Sequence, residues 1–223
     1  MKELRSYIRN ILLERTTKCR GVNPFIQKVI RQVKRAKMKI FISNTGSELE
    51  VKIFDNKKKE IGIYQAEKSS NEKCYGAWIT SWADVNKEHE GTGLGALLYD
   101  IACEEAGKFG LSPDRNSVSN DAIKMWSYFR NNTYKAKSDY IAKPYDDPKY
   151  KWTKKISYDD CPGWGWEDHD WQEYKKYMDF ENNAQRQILY QNHFLNNVYV
   201  KKDQTKSTIK CLKRNKLITV LPK

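Results

Sequence analysis

The stretch Glu90-Gly91-Thr92-Gly93-Leu94-Gly95 decides the fold of this 223-residue chain, because three alternating glycines stand directly before a helical pattern. The pattern covers residues 96–108, and Gly107 and Gly110 follow it as glycines often follow helices. Glycines that expose the backbone beside the unpaired N–H groups of a helix start suit a phosphate-containing ligand. The apolar residues of the pattern share one helical face: Leu94, Leu97, Leu98, Ile101 and Ala102.

Two known phosphate-binding loops fit this stretch poorly. A P-loop needs Gly-Lys followed by Ser or Thr, whereas residues 95–97 read Gly-Ala-Leu. A dinucleotide-binding fingerprint is matched formally by Gly91, Gly93 and Ala96, with Asp114 near the place of a ribose-binding acid. However, such a unit opens a domain of repeated βαβ units, and here several strands come first and no second repeat follows.

Strand-like segments precede the glycine loop. Residues 38–42, 49–53 and 61–64 are short apolar runs, and residues 55–58 form a turn between two of them. Residues 75–80 then alternate between two faces, as a strand does. The sequence therefore predicts a mixed α/β (α+β) fold in which a mostly antiparallel meander leads into the loop and its helix.

Residues 85–98 resemble the acyl-CoA binding motif of the GNAT acetyltransferases, written (Gln/Arg)-x-x-Gly-x-(Gly/Ala). Gly93 and Gly95 occupy its two small positions, whereas Glu90 stands where the family has Gln or Arg. A carboxylate beside a pyrophosphate is electrostatically unfavourable, so this departure weakens the match. The resemblance covers a GNAT-like core over residues 36–135, with helices flanking its central sheet.

The resemblance implies acetyl-CoA as cosubstrate. In the family the loop amides hold the pyrophosphate, and the backbone near Val85 pairs with the pantetheine arm because the strand splays from its neighbour. The cofactor-binding residues that the resemblance implies are Val85, Glu90, Gly91, Thr92, Gly93, Leu94, Gly95, Ala96 and Ser119.

The next helix of the family often carries an Asn, then an Ala and a Tyr that acts as general acid. These positions correspond here to Ser119, Ala122 and Trp126, so a tryptophan stands where the family has its tyrosine acid. Ser119 also suits a helix N-cap. Tyr128 is an alternative acid, but two helical residues turn its side chain by about 200°. A packing or solvent-facing role for Tyr128 is the competing interpretation.

Acetyl transfer from a thioester mainly needs an aligned neutral amine, and carboxylates can accept the ammonium proton directly or through water. Asp84, Glu88 and Asp114 lie near the loop in sequence. The candidate catalytic residues are therefore Tyr128, Asp114 and Glu88. Each carboxylate has a structural alternative, since Asp114 follows Pro113 in a turn and the other two suit solvated loops.

Composition limits the remaining choices. Five scattered cysteines without CxxC spacing predict reduced thiols in a cytoplasmic protein, with neither a disulfide framework nor a zinc site. No metal is expected, and the cluster 167–170 is a poor candidate because it lacks a second ligand group. No signal peptide or transmembrane segment is expected either.

Charge is distributed unevenly along the chain. Residues 1–40 hold 12 Lys and Arg against 2 Glu, and residues 201–223 hold 8 against 1 Asp, whereas residues 41–200 carry a balance of −4. An acidic core attracts a cationic amine acceptor, such as a small molecule, a protein lysine or an N-terminus. The basic ends suit nucleic acid or an acidic protein.

Extensions surround the predicted core. Residues 1–35 form a basic helical N-terminal extension, whose first 14 residues resemble short basic helices of bacteriophage proteins. Residues 136–200 comprise an irregular aromatic and acidic insert followed by a helix over 171–197, and residues 201–223 form a basic tail or a hairpin of strands 208–212 and 217–221.

The sequence thus predicts an acetyl-CoA-dependent N-acyltransferase that works by direct attack of an amine, in the cytoplasm of a phage host if it is phage-encoded. The alternative is a non-enzymatic phage structural protein, present in the virion, or a nucleic-acid-associated protein with a degenerate GNAT fold. Glu90 and Trp126 favour the alternative, and the intact glycines favour a working cofactor site.

Overall fold

A computed structural model describes residues 19–69, 77–113, 119–133, 139–144, 197–202 and 207–220. The helices are α1 (Pro24–Arg35), α2 (Leu94–Ala106), α3 (Asn120–Thr133) and α4 (Thr208–Arg214), with a 3₁₀ turn at Lys87–His89. The strands are β1 (Lys39–Asn44), β2 (Glu48–Phe54), β3 (Glu60–Lys68), β4 (Trp78–Val85), β5 (Leu111–Pro113), β6 (Tyr140–Pro144), β7 (Asn197–Lys201) and β8 (Ile218–Val220).

The strands form a mixed sheet in the order β6-β7-β5-β4-β3-β2-β1-β8. Strand β1 is antiparallel to β2 and parallel to β8, while β5 is parallel to β4 and antiparallel to β7. The predicted mixed α/β (α+β) class is therefore confirmed. The three strands expected at 38–42, 49–53 and 61–64 are confirmed as β1, β2 and β3, each somewhat longer than predicted.

The described residues fall into two compact units, and the first comprises those up to Gln65, Trp82–Glu105 and those from Lys201 onward. Helix α1 begins where the Asn23 side chain accepts a hydrogen bond from the Phe25 amide at 2.8 Å. The helix buries one apolar row, as its 3.6-residue period predicts: Ile26, Val29, Ile30 and Val33.

Helix α2 provides a second buried face in the same unit. All five residues of the predicted apolar row, from Leu94 to Ala102, are buried. The helix ends at Ala106, and Gly107 follows with a positive φ of 61°, as the sequence predicts. The turn between β2 and β3 is also confirmed, because the Asp55 carboxylate accepts hydrogen bonds from the amides of Lys57 and Lys59.

The second unit comprises the described residues among 66–81 and 106–200. Its core is aromatic, with the Trp126 and Tyr199 rings stacked at 5.5 Å and the Phe129 and Tyr140 rings edge-on at 4.6 Å. Strand β6 crosses part of the segment that the sequence predicts as irregular, so that prediction is wrong for residues 140–144. Residues 171–196 of the expected helix lie outside the described part.

The hairpin expected near the C-terminus is wrong. Residues 208–214 are helix α4, and residues 218–220 pair with β1 as strand β8. The helix forms because its first amides find a distant acceptor: the Glu104 carboxylate accepts hydrogen bonds from the Thr208 and Ile209 amides at 3.0 and 3.1 Å. A carboxylate from another element thus supplies the N-terminal cap.

The prediction of reduced thiols fails for one pair of cysteines. Cys19 and Cys211 form a disulfide although 192 positions separate them in the sequence. Both residues are buried, and the Arg214 guanidinium lies 3.6 Å from the Cys19 sulfur. Widely scattered cysteines conceal such a pair because only the fold brings them together. Cys103 is a free, buried thiol.

Candidate functional site

Strand β4 pairs with its parallel neighbour β5 over the described length of β5, which ends at Pro113. The pairing runs from Trp78 with Leu111 to Thr80 with Pro113, and β4 continues to Val85. Residues 81–84 are all exposed, and the Trp82 side chain retains 59% of its accessible surface. The residues directly before the glycine loop are therefore accessible, at the place where the resemblance implies a contact between the backbone near Val85 and a pantetheine arm.

The glycine loop continues from β4 through the 3₁₀ turn. The Thr92 hydroxyl donates a hydrogen bond to the His89 carbonyl at 2.5 Å, and this bond connects the loop to that turn. Gly91 and Gly93 have φ values of 70° and 88°, in the left-handed region that other residues rarely adopt. The two glycines are therefore required by the backbone path itself.

The first amides of α2 are available to a ligand. The Leu97 amide donates to the Gly93 carbonyl at 3.1 Å, which begins the helical bonding and leaves the three amides of residues 94–96 without an intrahelical acceptor. Among the described residues no other group accepts from these three amides. Gly93 has no side chain to cap them. With the helix dipole, they form a place for an anion.

The three glycines of the loop have different surroundings. A Cβ atom on Gly93 would lie 2.7 Å from a Val29 methyl group and 2.9 Å from the Phe25 ring, so this glycine permits the loop to pack against α1. A Cβ on Gly91 would meet nothing within 4 Å. A Cβ on Gly95 would lie 3.8 Å from Val85, an ordinary contact. Of the three glycines, only Gly95 therefore lies within the helix and could carry a Cβ atom at an ordinary contact distance.

An open depression of about 560 Å³ lies at the end of β4. Three of its lining residues are exposed carboxylates, Asp84, Glu88 and Glu90, and two are lysines, Lys59 and Lys87. None of these five side chains forms an ion pair with another described residue. The depression carries a net negative charge, as the predicted attraction for a cationic amine requires. Glu88 and Glu90, predicted from sequence, are thus brought together.

The predicted residues of helix α3 have mixed positions. The Ser119 hydroxyl accepts a hydrogen bond from the Ala122 amide at 3.2 Å, so Ser119 caps the helix as predicted. Trp126, at the position of the family's general acid, is 1% exposed and belongs to the aromatic core. Tyr128 is 50% exposed, with its ring edge-on to Phe129. Asp114 lies outside the described residues.

A buried charged cluster at the other end of α2 escaped prediction. The Lys201 ammonium lies 2.8 Å from Asp100, 2.9 Å from Glu104 and 3.0 Å from the Thr208 hydroxyl. The Thr208 hydroxyl also donates to Asp100 at 2.6 Å. Asp100 and Glu104 are one helical turn apart on a mostly apolar helix, which is the signal that the sequence offers.

The surroundings of Lys201 and of the neighbouring Cys103 set the protonation states of these two residues. Burial alone would lower the pKa of Lys201, but the charges and hydrogen bonds of Asp100 and Glu104 raise it above its usual 10.5. Burial raises the pKa of the Cys103 thiol above its usual 9.0, and the charge of Asp100 raises it further. Lys201 is therefore charged and Cys103 neutral at physiological pH, which suits a structural role.

The described residues contain no group of three or more His, Cys, Asp or Glu side chains arranged to hold a metal ion. None of the described helices is both long enough and apolar enough to cross a membrane. No protein-family model, curated protein or solved structure matches the chain significantly.

Proposed function

We propose that this protein is a GNAT-like N-acyltransferase that transfers the acetyl group of acetyl-CoA to an amine. One observation carries the proposal: an exposed strand end leads through a left-handed glycine loop into a helix whose first three amides, at residues 94–96, have no acceptor among the described residues. Backbone for a pantetheine arm and donors for a pyrophosphate thus follow one another, in the order that the resemblance implies.

The described residues fit parts of this cofactor. The amides of residues 94–96 would hold the pyrophosphate, and the exposed end of β4 near Val85 would align the pantetheine arm. Glu90 is exposed, so its carboxylate remains solvated, and Lys87 lines the same depression with the opposite charge. The unfavourable charge of Glu90 therefore reduces affinity without blocking the loop.

The proposed reaction needs little from the side chains. The amine nitrogen would attack the thioester carbonyl carbon, so that a C–N bond forms and the C–S bond breaks; the sulfur of coenzyme A would leave as a thiolate and take up the proton that the nitrogen loses. Asp84 and Glu88 line the acidic depression and would accept the proton of the incoming ammonium, directly or through water. An acidic entrance also raises the local concentration of cationic acceptors.

The burial of Trp126 favours a second candidate function. Since this residue is a core side chain, the helical position that supplies the family's general acid supplies none here. A non-enzymatic phage structural or nucleic-acid-associated protein that retains the fold is consistent with this loss. The two candidates differ in turnover, so binding and catalysis must be measured separately.

The test compares two substitutions of Gly95. Gly95→Ala adds a methyl group at an ordinary contact distance and should bind acetyl-CoA as the parent does. Gly95→Glu should stay folded, because a carboxylate in the first turn is favourable, but should repel the pyrophosphate. At a hundredfold excess over Kd, acetyl-CoA should stabilise the parent by about 2.7 kcal/mol. Calorimetry measures the affinity for acetyl-CoA, and thermal unfolding measures the stabilisation that it gives.

The outcomes separate the candidates. No stabilisation of the parent at millimolar acetyl-CoA refutes the cofactor site, and equal binding by Gly95→Glu places that site elsewhere. Release of free coenzyme A thiol with spermidine or a lysine peptide supports the acyltransferase. If acetyl-CoA binds but no coenzyme A thiol is released with any of the amines tested, the non-enzymatic candidate is supported.

A further inference from the structure

Two described stretches of the chain contain no carboxylate. Residues 19–39 hold seven basic side chains and residues 207–220 hold four. The first stretch includes helix α1 and the second includes helix α4. The basic side chains are Arg20, Lys28, Arg31, Lys34, Arg35, Lys37 and Lys39, and Lys210, Lys213, Arg214 and Lys216.

The structure joins the two stretches into one surface, here called the basic face. The Lys34 ammonium donates a hydrogen bond to the Asn215 side chain at 3.0 Å, and the Lys39 ammonium donates to the Lys216 carbonyl at 2.7 Å. Strands β1 and β8 pair in parallel beneath these contacts. The disulfide from Cys19 to Cys211 links the stretches covalently. Charges that are remote in sequence thus reinforce one another.

Several basic side chains of the basic face are exposed. Lys28 and Arg35 are exposed on α1, opposite its buried row, and Lys37 is exposed just after the helix ends. Lys210 and Lys213 are exposed on α4. None of these five forms an ion pair with another described residue. Such a concentration of one sign of charge attracts polyanions over several ångströms.

The composition of the basic face favours a nucleic acid over an acidic protein. Protein–protein interfaces are poor in lysine and have apolar or aromatic residues at their centre, whereas protein–nucleic acid interfaces are polar and strongly positive. Phe25, at the start of α1, is the one large hydrophobic side chain that is exposed among the described residues of the two stretches, at 50%. Single strands bind by stacking successive bases on several aromatic side chains, and one exposed ring does not provide such a platform.

We propose that the basic face binds the phosphate backbone of a nucleic acid duplex without reading its sequence. Lys28, Arg31 and Arg35 recur about once per helical turn, so they meet successive phosphates as α1 lies along the backbone. Residues of α4 extend the same contact. This proposal is independent of acyl transfer, because it uses neither the glycine loop nor the acidic depression.

The test measures binding of a fluorescent 20-base-pair duplex by anisotropy across a range of salt concentrations. Full-length variants are Lys28→Gln with Arg35→Gln, and Lys210→Gln with Lys213→Gln. Each phosphate contact adds about 0.9 to the salt slope, which corresponds to roughly eightfold in affinity at 100 mM salt. Each double variant should therefore weaken binding by up to about 60-fold.

The control removes two lysines elsewhere, Lys57→Gln with Lys58→Gln in the exposed turn between β2 and β3. It has the same net charge as each test variant and should keep nearly the parent affinity. Equal losses in control and test variants would reduce the proposal to a net-charge effect and overturn it. Unchanged affinity and salt slope in both test variants would overturn it as well.

Other ligands distinguish the partner. DNA and RNA duplexes should bind with similar salt slopes, since the backbone is the shared feature. Tighter binding of a single strand than of the duplex would overturn the duplex assignment. A poly-glutamate peptide that displaces the duplex at equal charge concentration would reassign the face to acidic proteins. Circular dichroism confirms that each variant is folded.

Discussion

Replacing Lys201 by Met should strongly destabilise the protein. The Lys201 side chain is 2% exposed, and its ammonium satisfies Asp100 and Glu104 at 2.8 and 2.9 Å. Met has a similar length but no charge, so Asp100, which is 1% exposed, would remain buried and unpaired by its cation. Breaking a buried pair in this way costs about 3–5 kcal/mol of the free energy of unfolding.

Thermal unfolding translates this loss into a large shift. For a chain of this size each kcal/mol moves Tm by about 2–4 °C, so the expected decrease is roughly 6–20 °C. Urea unfolding followed by circular dichroism gives the free energy itself. The matched control is Lys210→Met, the same substitution at an exposed residue of α4, which should stay within about 0.5 kcal/mol of the parent.

The variant also has a characteristic pH response. In the parent, the raised pKa of Lys201 contributes stability that is complete below pH 10.5 and is lost as pH rises through the folded-state value. The variant lacks this contribution at every pH, so the difference in stability between parent and variant should narrow as pH rises through the folded-state pKa of Lys201. A Lys201→Met protein within 1 kcal/mol of the Lys210→Met control would refute the buried ion pair.

Three further predictions follow from the same contacts. Burial raises the pKa of the Cys103 thiol above 9.0. Its contribution to the free energy of unfolding is therefore complete below pH 9 and falls by about 1 kcal/mol by pH 10. Cys103→Ala should reduce the dependence of the free energy of unfolding on pH in this range, as urea unfolding measures. Reduction should add two hydrogen atoms to the intact mass and lower Tm, since the 192-residue separation makes the Cys19–Cys211 link worth about 5 kcal/mol; an unchanged mass contradicts the disulfide. Gly93→Ala should cost about 1–3 kcal/mol through its positive φ and the clash with Val29, and Val29→Ala should restore part of it, as a double-mutant cycle measures.

Elements whose stabilising contacts are local could be predicted from the sequence. Helix α1 carries its capping Asn23, its Pro24 and its buried row within a few turns, so periodicity is enough to place it. The β2–β3 hairpin likewise contains the Asp55 carboxylate that closes its turn. The helix that follows the glycine loop is predictable for the same reason, and its observed start differs by only two residues.

Elements that depend on distant partners could not be predicted. Residues 208–212 are too short to distinguish a strand from a helix by their apolar positions alone. Glu104, more than one hundred residues earlier, decides the outcome by accepting the first amides of α4. The candidate site shows the same division: the loop is local, whereas the depression depends on Lys59 and Asp84 meeting at the strand ends.

The glycine loop illustrates why a local motif identifies a function incompletely. Gly93, an essential position of the family motif, is held by its packing against Val29 and Phe25, so the loop conformation persists whether or not a cofactor binds. Gly91 and Gly93 would therefore be retained in an acyltransferase and in a non-enzymatic protein alike. Gly95 differs, because a Cβ atom there would lie at an ordinary contact distance. The contacts of the described residues thus give no reason for a glycine at this position, so a substitution of Gly95 tests the proposed cofactor site more directly than a substitution of the other two glycines.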